Sequence, residues 1–179
     1  GWVATSILDE VTVPDTLQGV LMARLDRLYP ETKWVLQQAA VIGRIFLYRV
    51  LLHLEAARDL DADLSLLERE ELIRERTRSP EIEYIFKHAL TQEVAYQSLL
   101  TSRRKELHRR TAETIEQLFA DRLSEFYPIL AQHFREGEAW EKAADYLIRS
   151  GDLAARLYAH EEARSHYSSA LEALRTLPD

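Results

Sequence analysis

Lys87 and His88 stand where the chain changes its periodicity. From Ile82 to Lys87 the residues alternate, with Ile82, Tyr84 and Phe86 on one side and Glu83, Ile85 and Lys87 on the other. Period two in aromatic and branched residues predicts a strand. From His88 onward the spacing is helical, which places His88 at a strand-to-helix corner beside a helix N-terminus. The first N–H groups of a helix are unpaired and its dipole is positive there, so the corner suits a phosphate, and Lys87 adds charge if it points inward. The plainer roles for His88 are a helix cap or a plug beneath the hairpin, with metal ligation a weaker third.

Other chemistry is thin. His160-Glu161-Glu162-Ala163-Arg164 falls short of the zinc-protease helix motif, because Arg164 occupies the place of the second histidine. The chain has no cysteine, which removes thiol nucleophiles, disulfides and thiolate-bound zinc. The five glycines, at 1, 19, 43, 137 and 151, form no phosphate-binding loop, and no nucleophile elbow is present. Catalysis is not expected in this segment. The basic residues Arg103, Arg104, Lys105, Arg109 and Arg110, interrupted by Glu106, suit a solvated helix face, or a contact for an acidic domain or a nucleotide phosphate.

The elements that must position these residues are mostly helices. Among 179 residues there are 28 leucines and 21 alanines but only five glycines and five prolines, which disfavours a sandwich or barrel. The net charge of −7 weighs against general nucleic-acid binding. No apolar run reaches the roughly 18 residues of a membrane span, and Gly1-Trp2 does not open a signal peptide, so a cytoplasmic setting is expected. The absence of an initiator methionine suggests a piece of a longer protein.

Pro14 opens a helical stretch with Leu17, Val20, Leu21, Leu25 and Leu28 on one face. Pro30 opens a second, closed by Gly43. Leu47, Leu51 and Leu54 predict a third helix, and Leu60, Leu64 and Leu67 a fourth running to about Ile73. Arg74–Arg78 pairs with the 82–87 strand across Ser79-Pro80-Glu81. Several helices and then a hairpin is the order of a winged-helix domain. Beyond it, a long helix from about Ser102 to Leu123 precedes shorter ones at Pro128–Glu136, Trp140–Ser150, Leu153–Tyr158 and Glu161–Leu177. Alanines facing large residues there suit irregular helical-hairpin repeats of the tetratricopeptide type. The expected fold is mostly α: a linker at 1–12, a winged-helix-like domain with a small hairpin at 13–100, and a truncated tetratricopeptide-like helical-repeat unit at 101–179. Leu171 and Leu174 on its last helix, followed by Pro178, suggest a stacking face left open for further repeats.

Three blocks resemble a known family. The first is Val13-Pro14-Asp15-Thr16-Leu17-Gln18, Ala23-Arg24-Leu25-Asp26-Arg27-Leu28 and Val35-Leu36-Gln37-Gln38-Ala39-Ala40-Val41-Ile42-Gly43-Arg44. The second is Phe86-Lys87-His88-Ala89-Leu90 with Glu93-Val94-Ala95-Tyr96 and Leu99-Leu100; the third is Arg103-Arg104, Leu107-His108, Leu130-Ala131 and His133-Phe134. Over residues 11–175 the chain resembles the region after the ATPase core of bacterial STAND-type signalling ATPases. Many of these carry a class III adenylate/guanylate cyclase domain, others a DNA-binding regulator.

That resemblance implies a non-catalytic regulatory segment. The upstream ATPase domain of the same chain, using ATP or ADP with magnesium, would be its partner, and the repeats would receive an unknown protein or small molecule. In that family a histidine within Met-His-Asp reads the β-phosphate of ADP; here the matching residues are Lys87-His88-Ala89, without the acidic third member. Two rival readings are a free-standing repeat scaffold and a DNA-binding winged helix. The second is opposed by seven acidic residues against two arginines between Asp59 and Glu75.

Overall fold

The computed structural model describes residues 15–55 and 59–177. The linker expected at 1–12, the opening Val13-Pro14 and the closing Pro178 lie outside the described residues. Those described form nine α-helices, a short 3-10 segment and one three-stranded antiparallel sheet. None of these helices is long and apolar enough to cross a membrane.

The first part runs α1 (Asp15–Leu25), α2 (Pro30–Ile42), β1 (Ile45–Leu47), α3 (Tyr48–Leu54), α4 (Leu60–Arg69), β2 (Ile73–Thr77), β3 (Glu83–Phe86) and α5 (Ala89–Gln97). Pro30 sits in the first turn of α2, where its missing N–H costs nothing, and Gly43 closes the helix at φ 148°, donating its N–H to Ala39. Asp59 caps α4 by accepting from the Ala62 N–H at 3.3 Å. Leu60, Leu64 and Leu67 point inward, as their spacing requires. In α1 the outcome differs from the expected face. Leu21, Leu25 and Leu28 meet the core, whereas Leu17 and Val20 are exposed.

Helix α4 stops at Arg69, four residues short of its expected end. Glu71 takes φ 55°, the Glu71 N–H bonds the Glu68 carbonyl, and the Leu72 N–H bonds the Leu67 carbonyl at 3.0 Å. This Schellman closure releases Ile73 into β2. The sheet order is β1-β3-β2, with Phe46 opposite Tyr84 and Ile73 opposite Phe86. The hairpin thus lies where expected, but β1 was not expected, and its last residue, Leu47, was placed in the third helix.

The second part is strandless: α6 (Thr101–Leu118), the 3-10 segment Ala120–Phe126, α7 (Tyr127–Glu136), α8 (Trp140–Arg156) and α9 (His160–Arg175). Helix α8 runs unbroken through Gly151, where two helices were expected. Gly151 is there for closeness: a methyl group at this position would lie 2.6–2.9 Å from three ring carbons of Tyr167 on α9. On α9 the buried residues are Ala163, Ala170 and Ala173, while Leu171 and Leu174 are exposed. Leu171 and Leu174 are the residues from which an open stacking face was expected on this helix.

Helices α7 and α8 end with the same Schellman pattern as α4, using Glu138 at φ 56° and Tyr158 at φ 60° in place of glycine. A side chain in this conformation costs about 1–2 kcal/mol. Tyr158 is 83% exposed and gives back little by packing. Tyr158→Gly is expected to raise unfolding free energy by about 0.5–1 kcal/mol after glycine's greater unfolded-state entropy is subtracted. Tyr158→Ala should give no such gain. Urea denaturation of both variants decides this, and equal effects would refute the backbone explanation.

The two parts share a core. Val50 and Leu54 of α3 belong to the cluster formed by Ala112, Ile115, Phe119, Leu130, Phe134 and Leu147 of the later helices. Val41, Leu99 and Leu107 form a smaller cluster across the same seam, with Trp34 and Tyr96 against it. At the hairpin end, Glu81 accepts from Arg49 at 3.3 Å and from Arg122 at 3.0 Å, pinning the turn to the 3-10 segment.

Candidate functional site

The corner at His88 is built as its sequence suggested. His88 is the N-cap residue of α5, in extended geometry at φ −126° and ψ 135°, and its imidazole makes no capping hydrogen bond. Its carbonyl accepts from the Thr91 N–H at 3.1 Å. Behind it, the Phe86 N–H bonds the Arg44 carbonyl and the Lys87 N–H bonds the Leu72 carbonyl. These bonds fix the end of β3 between the α2–β1 turn and the α4–β2 turn. Both Lys87 and His88 are exposed.

Lys87 does not point into an empty phosphate site. Its Nζ is 3.0 Å from Glu71 Oε1, and this pair, with Arg24 and His88 nearby, holds the Glu71 carboxyl below its ordinary range. Arg24 in turn donates to the Glu70 carbonyl. What the corner offers a phosphate is therefore one uncapped imidazole and the first turn of α5, with a carboxylate already on the lysine. A cleft of about 740 Å³ opens nearby, between α1 and the end of α4, lined by Val20, Arg24, Arg27, Tyr29, Leu66 and Glu70.

The α6 cations are spent inside the molecule. Arg103 pairs with Glu106 at 2.8 Å and covers the Trp34 ring; Arg104 lies over Tyr96; Lys105 pairs with Glu138 at 2.7 Å. Arg109 donates to the Gly137 carbonyl at 2.6 Å, and Arg110 to the Leu54 carbonyl at 3.2 Å. Their arrangement favours the structural role over a phosphate surface. The near-motif at His160 occupies the first turn of α9, where Arg164 pairs with Glu161 at 2.8 Å. Among the described residues no three histidine, aspartate or glutamate side chains converge to hold a metal ion.

Sequence reasoning missed a buried polar chain at the seam. His108 on α6 and His133 on α7 are each about 5% exposed, and their Nδ1 atoms lie 2.8 Å apart. Tyr96 Oη is 3.0 Å from His108 Nε2. Burial lowers both imidazoles from the ordinary 6.5, His108 to about 4 and His133 to about 3. Arg104 lowers His108 further, and His108 lowers His133 further. Both rings line a cleft of about 490 Å³ with Arg44, Gln92, Gln132 and Glu136. The available signal was two histidines at inward-facing positions, Leu107-His108 and His133-Phe134, on neighbouring helices.

No family model, no curated protein and no solved structure matches this chain.

Proposed function

We propose that this chain is the regulatory segment of a multidomain STAND-type signalling ATPase. In this reading a winged-helix-like unit contacts the upstream ATPase domain, and tetratricopeptide-like repeats receive a protein or small molecule. The parent would bind ATP or ADP with magnesium, and its output could be a nucleotide cyclase. The segment itself carries no catalytic group in this reading.

The observation that carries the proposal is the shared core. With Val50 and Leu54 of α3 built into the cluster of the later helices, a displacement of those helices must be felt by the sheet-bearing part. The order α2-β1-α3-α4-β2-β3, with β3 between its partners, supports the winged-helix-like half. The successive packing of α6 to α9, each on its neighbour in sequence, supports the repeat-like half. The acidic stretch of α4 makes duplex DNA the weaker partner, and a free-standing scaffold gives no role to the uncapped His88.

The test uses the full-length parent and ADP. A histidine hydrogen bond to a phosphate contributes about 1.5–3 kcal/mol, so His88→Ala should weaken ADP retention about tenfold to a hundredfold and raise basal output. Lys87→Ala should change little, because Lys87 is already paired with Glu71. Unaltered ADP affinity and output in a folded His88→Ala protein would overturn the sensor role.

A further inference from the structure

The buried histidines on the seam are joined to each other and to Tyr96 by hydrogen bonds. With the two Nδ1 atoms 2.8 Å apart, neutral rings bond there only when one Nδ1 carries the proton and the other accepts it. His108 Nε2 also meets the Tyr96 hydroxyl at 3.0 Å, a group that both donates and accepts. The chain Tyr96, His108, His133 crosses from α5 through α6 to α7, so it ties the two parts of the protein together.

A first extra proton leaves a buried cation, which the Arg104 guanidinium of α6, 5.0 Å from the Tyr96 ring, disfavours. From α7, Glu136 acts on the Tyr96 hydroxyl and is paired with Arg135 at 3.9 Å. From the α2–β1 turn, Arg44 lines the same cleft and adds positive charge. A second proton sets the two Nδ1–H groups against each other. We propose that the His108–His133 pair is an acid-opened latch: the seam stays closed while both rings are neutral, and opening it takes up two protons. This inference stands apart from the nucleotide-sensing proposal.

The sign follows from the direction of the shifts. Both rings bind protons less readily when closed than when open, where they return to about 6.5. The latch therefore contributes fully above pH 6.5 and weakens as pH falls toward 4. Each ring makes opening about tenfold easier per pH unit in that window, and the two together about a hundredfold.

Urea unfolding of the whole chain between pH 7.5 and 4.5 tests this, comparing wild type with His133→Asn, which keeps an acceptor for His108 but cannot titrate. The wild-type unfolding constant should rise about ten times more per pH unit than that of the variant. Should His133→Asn fail to fold, nitrogen chemical shifts of the wild-type imidazoles decide. At pH 5.5 both rings should be neutral, with only one of the two facing Nδ1 atoms protonated. Equal pH slopes, a charged ring at that pH, or both facing Nδ1 atoms protonated would overturn the proposal.

Discussion

Phe134→Ala should cost about 3–5 kcal/mol of unfolding free energy, the range for removing a fully buried aromatic ring. Phe134 lies on α7 at 1% exposure, stacked on Tyr146 of α8 with centroids 5.7 Å apart, and Lys142 Nζ sits 4.7 Å from its ring centre. Tyr146 is itself held by Glu116 of α6 through a 2.6 Å hydrogen bond, so the void would open where three helices meet. Because Val50 and Leu54 of α3 share this cluster, the loss should appear as one transition seen equally in both parts. Trp34 on α2 and Trp140 on α8 report on the two sides. Urea unfolding followed by fluorescence of single-tryptophan variants checks this. A destabilised Trp140 transition beside an unaltered Trp34 transition would show that the seam does not couple them.

The same seam explains what was legible in the sequence. Helices with leucine at regular spacing, such as α4 with Leu60, Leu64 and Leu67, could be read because one periodic face meets one core. The hairpin was legible because Ile82, Tyr84 and Phe86 recur at every second residue, a period no helix has. Helix α1 misled because Leu17 and Val20 continue its apolar spacing but face solvent. The end of α4 was hidden because its closure uses Glu71 where glycine is the usual signal. Gly151 misled in the opposite sense: a residue that often ends helices serves here to let Tyr167 approach. The site was half legible. The position of His88 at a helix start followed from the change in period, but the Lys87–Glu71 pair depends on a turn that brings residues sixteen apart together. Of the His108–His133 chain only two histidines beside inward-facing residues were legible, because their meeting requires knowing that α6 and α7 present these faces to each other.

The strand that sequence reasoning missed sets the second large effect. β1 has only Ile45, Phe46 and Leu47, too few for any period, and α3 begins at the next residue. What makes it a strand is Phe46, 1% exposed, which stacks on Tyr84 at 5.8 Å and meets the Phe86 ring edge-on at 5.8 Å. The pairing of Phe46 with Tyr84 sets the register that brings the Tyr48 N–H to the Ile82 carbonyl at 2.9 Å. Aromatic contacts of this kind add about 0.5–1.5 kcal/mol beyond the area they bury. Phe46→Ala should therefore cost about 3–5 kcal/mol, with the sheet losing its first strand. Phe46→Leu keeps most of the volume and should recover the larger part of that loss. Thermal and urea denaturation give the energies, and amide exchange at Phe86, whose N–H bonds the Arg44 carbonyl beside β1, reports on the strand itself. That amide should exchange faster in Phe46→Ala than global unfolding alone explains. If it stays as protected as the rest of the sheet, Phe46 stabilises the core without holding β1 in place.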